Sequence, residues 1–351
     1  MNNMKFSTIN TKISALRSTM LTNEQVEEII SLNTVDEVFD FLVSHTPYVD
    51  VLWNLKGNKI HRGDMERGLY RYNVVAIERL MFYLSDEYKS FLKKYMIRYE
   101  IEDLKLIIES VTGRVKLENI ENHLLSSPKY TDMNFHELLQ QQTLQGVLDQ
   151  LKETKYYRLL LPYCEQIDEK FNFYIEMILD RYYYKQLFLA TKKITSEDNK
   201  KSIEIIRRNI DLLNLEWVYR ATKYYDMSKE EIMNFVLDHG YKYDYYKLKE
   251  LVYSYALSDL LNYLSQTEYG FLFNHKGDLD LYMERRMERY LYYKALNLYK
   301  TSILDFGKVM AYIQLVEFEI KDLISIIESK RYRLPVKEAT AYLIRSMEVL
   351  D

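Results

Sequence analysis

From Phe306 onward the apolar residues Val309, Met310, Ile313, Val316, Ile320, Leu323, Ile324 and Ile327 recur mostly at spacings of three and four, the signature of a helix with a buried stripe. The same period returns along the chain, with no sustained alternation of period two, so the sequence predicts an all-α protein. Helix starts are marked as well. Thr34 with Glu37 and Ser228 with Glu231 have the capping-box spacing, and Pro335 suits a first helical position. Lys, Arg, Asp or Glu interrupts every apolar run before it reaches the ~18 residues of a membrane-spanning helix. Any membrane association is therefore expected to be peripheral.

The helical pattern is triplicated. Glu66, Leu69, Arg71 and Tyr72 spell E-x-x-[LM]-x-R-Y, which returns at Glu176, Leu179, Arg181, Tyr182 and at Glu284, Met287, Arg289, Tyr290. The intervals, 66 to 176 to 284, are 110 and 108 residues. A second anchor, a carboxylate then Asp or Asn then Leu, follows in phase as Glu100, Asp103, Leu104; Asp211, Asn214, Leu215; and Glu319, Asp322, Leu323. A third, upstream, reads T-x-Y and an aliphatic at Thr46, Tyr48, Val51, at Thr154, Tyr156, Leu159 and at Thr267, Tyr269, Leu272. Three anchors in one order predict internal repeats of about 110 residues, each a small helical subdomain. Matching them gives an N-terminal helical segment over 1–21 and repeats over 22–131, 132–243 and 244–351. The polar turns at 56–64, 126–132, 195–200 and 274–278 are too short to be linkers, so one packed body is expected.

The second anchor opens an apolar helix face with a carboxylate. Glu100, Asp103, Leu104, Ile107 and Ile108 fall at i, i+3, i+4, i+7 and i+8, as do their counterparts from Asp211 and Glu319. A buried charge needs a partner. The Arg of the first anchor keeps one register in all copies, so the expected ion pairs are Arg71 with Glu100 or Asp103, Arg181 with Asp211, and Arg289 with Glu319 or Asp322. Paired carboxylates can do acid–base chemistry, but three equivalent sets suit a scaffold better than a single active site.

Composition narrows the rest. Gly (9) and Pro (4) in 351 residues fall well below the usual ~7% and ~5%, as expected for long helices with few turns. A net charge of −4 gives no electrostatic basis for binding nucleic acid. The lone Cys164 cannot form an intrachain disulfide, and no secretory pattern opens the chain, so a reducing compartment is expected. His45, His61, His123, His136, His239 and His275 are scattered without metal-ligand spacing, and no glycine pattern cradles phosphate. No catalytic residue, cofactor, metal or small-molecule substrate is expected. The outlier is tyrosine, 34 residues and often paired, as in Tyr182-Tyr183-Tyr184; such residues suit an interaction surface or a core with hydroxyls reaching outward.

The triplicated anchors, the opening NTKISALRSTMLTNE and the closing FEIKDLISIIESKRYRLP together resemble the C subunit of bacterial and archaeal V-type ATPases, a family known in the vacuolar enzyme as its d subunit. The likeness covers essentially the whole chain; one departure is Asn214 where the other copies carry Asp. What the resemblance implies is a funnel of three pseudo-symmetric helical repeats without a catalytic centre. It would seat on the cytoplasmic mouth of the membrane proteolipid ring, receive central-stalk subunits D and F, and transmit torque for ATP-driven ion transport. The competing expectation is a helical-repeat scaffold for soluble partners, but solenoid periods of about 33 to 47 residues are shorter than this one.

Overall fold

The computed structural model describes residues 6–57, 62–113, 120–131, 133–164, 169–194, 196–273 and 282–345. Every regular element among them is a helix, as the period-3.6 pattern requires, and none is a strand. The turn expected at 274–278 lies outside the described residues.

The capping residues act as their chemistry predicts. Thr34 and Ser228 open the helices Val35–His45 and Lys229–Phe235 with complete capping boxes, and Thr22 with Gln25 adds another before Asn23–Ser31. Pro335 sits one position earlier than expected: its ψ of 146° is extended, so it is the cap residue and Val336–Ala341 is the helix. The fixed φ of proline fits either place; the extended ψ excludes the helical one.

The described residues pack as two compact units, each built from separated stretches of chain. The first takes residues from 1–88, 195–209 and 261–351. Its axis is the helix Phe306–Arg331, buried on almost every side from Phe306 to Ser329. A helix buried on most sides belongs in a core, and here Met283–Thr301, Arg62–Met81, Ser7–Arg17 and Val35–His45 surround it. Helices far apart in the sequence meet in this unit, where Asn23–Ser31 packs on Val336–Ala341. Asp198 joins further stretches, accepting the Tyr88 hydroxyl at 2.5 Å and the Phe306 N–H at 3.2 Å.

The second unit takes residues from 89–194 and 210–260. Its principal contact is Ile97–Val111 against Phe171–Thr191. The first of these buries Ile97, Ile101, Leu104, Ile107 and Ile108 on the face that the sequence predicts, together with Glu100 and Asp103. Lys229–Phe235 packs on Phe171–Thr191 and on Tyr245–Ser254. Tyrosine is used in both expected ways: Tyr48, Tyr88, Tyr156, Tyr269 and Tyr312 are fully buried, whereas Tyr224, Tyr246 and Tyr332 are exposed.

Candidate functional site

The buried polar groups of the second anchor are the residues that the hydrophobic pattern cannot explain, and in each copy they hold backbone. Asp103, on Ile97–Val111, accepts the consecutive N–H groups of Leu125 and Ser126, each at 2.8 Å. Asp322, on Phe306–Arg331, accepts those of Ile344 at 2.6 Å and Arg345 at 3.2 Å. Asn214 accepts the Leu237 N–H at 2.7 Å and donates to the Leu237 carbonyl at 2.9 Å. The chain distance spanned is 22 or 23 residues in all three. In each copy a side chain on a long helix fixes a segment that returns across it. The departure at Asn214 is also explained, because an amide meets both groups of one residue, whereas a carboxylate can only accept.

The other anchor position does similar work with more varied partners. Asp211 accepts the N–H groups of Lys242 at 2.7 Å and Tyr243 at 3.1 Å. Gly240 is required beside it, since a Cβ there would lie 2.2 Å from Asp211 Oδ1 and 2.2 Å from the Tyr243 carbonyl oxygen. Glu100 accepts the Tyr156 hydroxyl and lies 3.3 Å from Lys155 Nζ. Glu319 accepts the Leu21 N–H and the Tyr48 hydroxyl at 2.9 Å each, and a guanidinium N–H of Arg345 at 3.1 Å.

Two of the T-x-Y tyrosines, Tyr48 and Tyr156, thus reach carboxylates of the second anchor, and the rings of all three meet the tyrosines of the first. Tyr48 lies on Tyr72 at 4.7 Å between ring centroids, Tyr156 on Tyr182 at 5.7 Å and Tyr269 on Tyr290 at 5.7 Å. The hydroxyls of Thr46, Thr154 and Thr267 each accept the N–H two residues on, at 3.2–3.3 Å, which fixes the turn carrying the tyrosine.

The arginines do not pair as the sequence suggests. Arg181 donates to the carbonyl of Asn234, and Arg289 to those of Ala341 and, at 2.9 Å, Leu343. Arg71 is exposed, and Glu100 has Tyr156 and Lys155. Glu319 takes its cation from Arg345, not Arg289. The physical reason is that the buried carboxylates are already supplied by N–H and O–H donors. Arg181 and Arg289 instead reach carbonyls near the end of a short helix, Lys229–Phe235 or Val336–Ala341, where a cation is favoured. In these two copies the arginine and the second-anchor residue, Asn214 or Asp322, therefore hold the same returning segment. Of the first-anchor acids, Glu284 is exposed, and Glu66 and Glu176 are half-buried.

Burial sets the electrostatics. It pushes Asp103 and Asp322 up to about 6 against the opposing effect of their backbone hydrogen bonds. It raises Glu319 as well, although Arg345 works the other way. A separate ionic group, not evident from sequence, sits where Ile97–Val111 meets Phe171–Thr191: Lys105 lies 2.6 Å from Asp180 and 3.1 Å from Glu102. Burial opposes the Lys105 charge, but Asp180 and Glu102 outweigh it and hold the ammonium above its ordinary range. Lys105, Glu102, Glu176, Glu109 and His123 line a cavity of about 320 Å³. Among the described residues no group of three or more His, Cys, Asp or Glu is placed to hold a metal ion. Chemically, the anchor sites fix helices and returning segments in register.

Comparison with known proteins agrees with an assignment made on the whole chain. The family described as ATP synthase (C/AC39) subunit matches residues 9–342. The chain is 27% identical over 325 residues to the C subunit of the A-type ATP synthase of Methanosarcina acetivorans, covering 91% of this chain and 87% of that protein. It is 27% identical over 308 residues to the corresponding A-type C subunit of Methanosarcina mazei, covering 86% and 82%. With that of Methanocaldococcus jannaschii it shares 23% over 349 residues, covering 97% and 86%. All-helical, and matched across nearly its full length, the chain belongs to the ATP synthase (C/AC39) subunit family.

Proposed function

We propose that this chain is a non-catalytic rotor subunit of an A-type or V-type ATP synthase, coupling the central stalk of subunits D and F to the membrane proteolipid ring. It would work peripherally, at the cytoplasmic face. What supports this above all is the match over residues 9–342, which takes in all the anchors and not one segment. No helix among the described residues is long and apolar enough to cross a membrane, so contact with a ring would be made through a surface.

A part that transmits torque must not let its helices slide. Side chain-to-backbone ties resist sliding, because each fixes a register and leaves a buried group unsatisfied if it slips. The three ties spanning 22 or 23 residues, and the three tilted or edge-on tyrosine pairs, supply that resistance. Their recurrence supports three pseudo-symmetric repeats over 22–131, 132–243 and 244–351 as the plan of the body. The test is functional. Membranes from cells lacking this chain should lose ATP-driven ion transport while keeping the proteolipid ring, and regain transport when the chain is restored. Transport unchanged without the chain would refute the proposal.

A further inference from the structure

The turn that follows the central helix of the first unit is built in an unusual way. At the end of Phe306–Arg331 the Leu334 N–H donates to the Ser329 carbonyl at 2.9 Å and the Arg333 N–H to that of Lys330 at 3.2 Å. This is the Schellman pattern, whose left-handed position is normally glycine. Here Arg333 occupies it, at φ 53°. A Cβ in that region is unfavourable, so this turn carries its side chain at a backbone cost. The side chain of Arg333 makes no hydrogen bond or ion pair with any described residue, and neither does that of Lys337. Both are exposed, with Arg331 beside them and Tyr332 at 61% exposure. The Arg331 guanidinium lies over the Tyr332 ring at 5.1 Å, which presents a flat, cationic and aromatic face. The local acids are fewer: Glu328, 4.0 Å from Arg331, and the exposed Glu338. Lys330 is turned inward to the Ile30 carbonyl.

Positive charge with an aromatic would also suit anionic lipid headgroups, but the neighbouring surface argues otherwise. Val336–Ala341 packs on Asn23–Ser31. That helix and the next expose Glu24, Glu27, Glu28, Asp36, Glu37 and Asp40, and a plane of headgroups wide enough to reach the turn would meet this acidic row. A protein segment is narrow enough to meet the turn alone. We infer that residues 331–337 are a docking point for an acidic segment of a neighbouring protein in the assembly, engaged through Arg331, Arg333, Lys337 and the Tyr332 ring. The inference rests on the assembly membership proposed above.

The test places a benzophenone amino acid at Tyr332 of the tagged full chain in its source cells, purifies the complex, irradiates it and maps the crosslink by mass spectrometry. The expected crosslink falls on a segment of another subunit carrying several Asp or Glu. Its yield should drop about tenfold when Arg333→Gly and Lys337→Gln are combined, the effect of losing two rim charges. The melting temperature of the isolated chain should stay level or rise with Arg333→Gly, which separates docking from folding. A crosslink to lipid, to a segment without carboxylates or to nothing, in a complex that still contains the chain, would overturn the inference, as would an unchanged yield. If the tagged chain brings down no ATP synthase subunit, the proposed assembly fails first and this docking point with it.

Discussion

Changing Asn214 to Asp separates the two kinds of tie by one atom. Asn214 is fully buried and satisfies both the N–H and the C=O of Leu237. In Asn214→Asp the N–H of Leu237 keeps its acceptor, but its carbonyl loses a donor and faces a carboxylate oxygen across about the present 2.9 Å. An unsatisfied buried carbonyl costs about 1–3 kcal/mol. Adding the unpaired charge beside Asp211, one turn away, brings the deficit to about 2–4 kcal/mol at pH 8. For a cooperative unit of this size that lowers the melting temperature by roughly 10 °C. The deficit should also depend on pH. Once protonated, the introduced carboxyl can donate to the Leu237 carbonyl as the amide does, so its folded pKa is raised above the unfolded value. Stability is then retained at low pH and lost as pH rises through the folded value. Scanning calorimetry of variant and wild type at pH 5 and pH 8 reads this directly. A deficit equal at both pH values, or none at pH 8, would refute the reasoning.

Other perturbations have equally definite outcomes. Gly240→Ala drives a Cβ into Asp211 Oδ1 and the Tyr243 carbonyl, so about 2–3 kcal/mol of stability should be lost and the amide protons of Lys242 and Tyr243 should exchange faster in hydrogen-exchange measurements. Arg345→Met leaves Glu319 buried without its cation and should cost about 3–5 kcal/mol by urea melting; a loss under about 1 kcal/mol would mean that Tyr48 and Leu21 suffice. Asp103 and Asp322 should titrate near 6 by carboxyl carbon NMR. Because those folded values lie above the ordinary 3.8, the contribution of the two groups is greatest below about pH 4 and is lost as pH rises through 6. Midpoints below 4 would contradict the burial argument.

Much of the fold was legible because it is written in local chemistry. Thr34 with Glu37 and Ser228 with Glu231 cap helices through bonds to their own neighbours, and the stripe from Val309 to Ile327 runs along one buried helix. The repeated polar residues were equally visible as odd members of an apolar face. Their partners were not, for two physical reasons. Backbone N–H groups carry no residue code, so nothing in Leu125, Leu237 or Ile344 announces the tie to Asp103, Asn214 or Asp322. Opposite charges in register suggest pairing, yet Arg289 points to carbonyls at a helix end while Glu319 is reached by Arg345, 26 residues further on. The T-x-Y anchor held a usable signal: a buried tyrosine needs a partner for its hydroxyl, and Tyr48 and Tyr156 find theirs in Glu319 and Glu100.

The rotor-coupling proposal is tested most directly by affinity purification of the tagged full chain from detergent-solubilised membranes of its source cells, with every co-purifying protein identified by mass. The account predicts recovery of a proteolipid ring together with central-stalk subunits D and F. Recovery of soluble proteins alone, without ring or stalk, would contradict it.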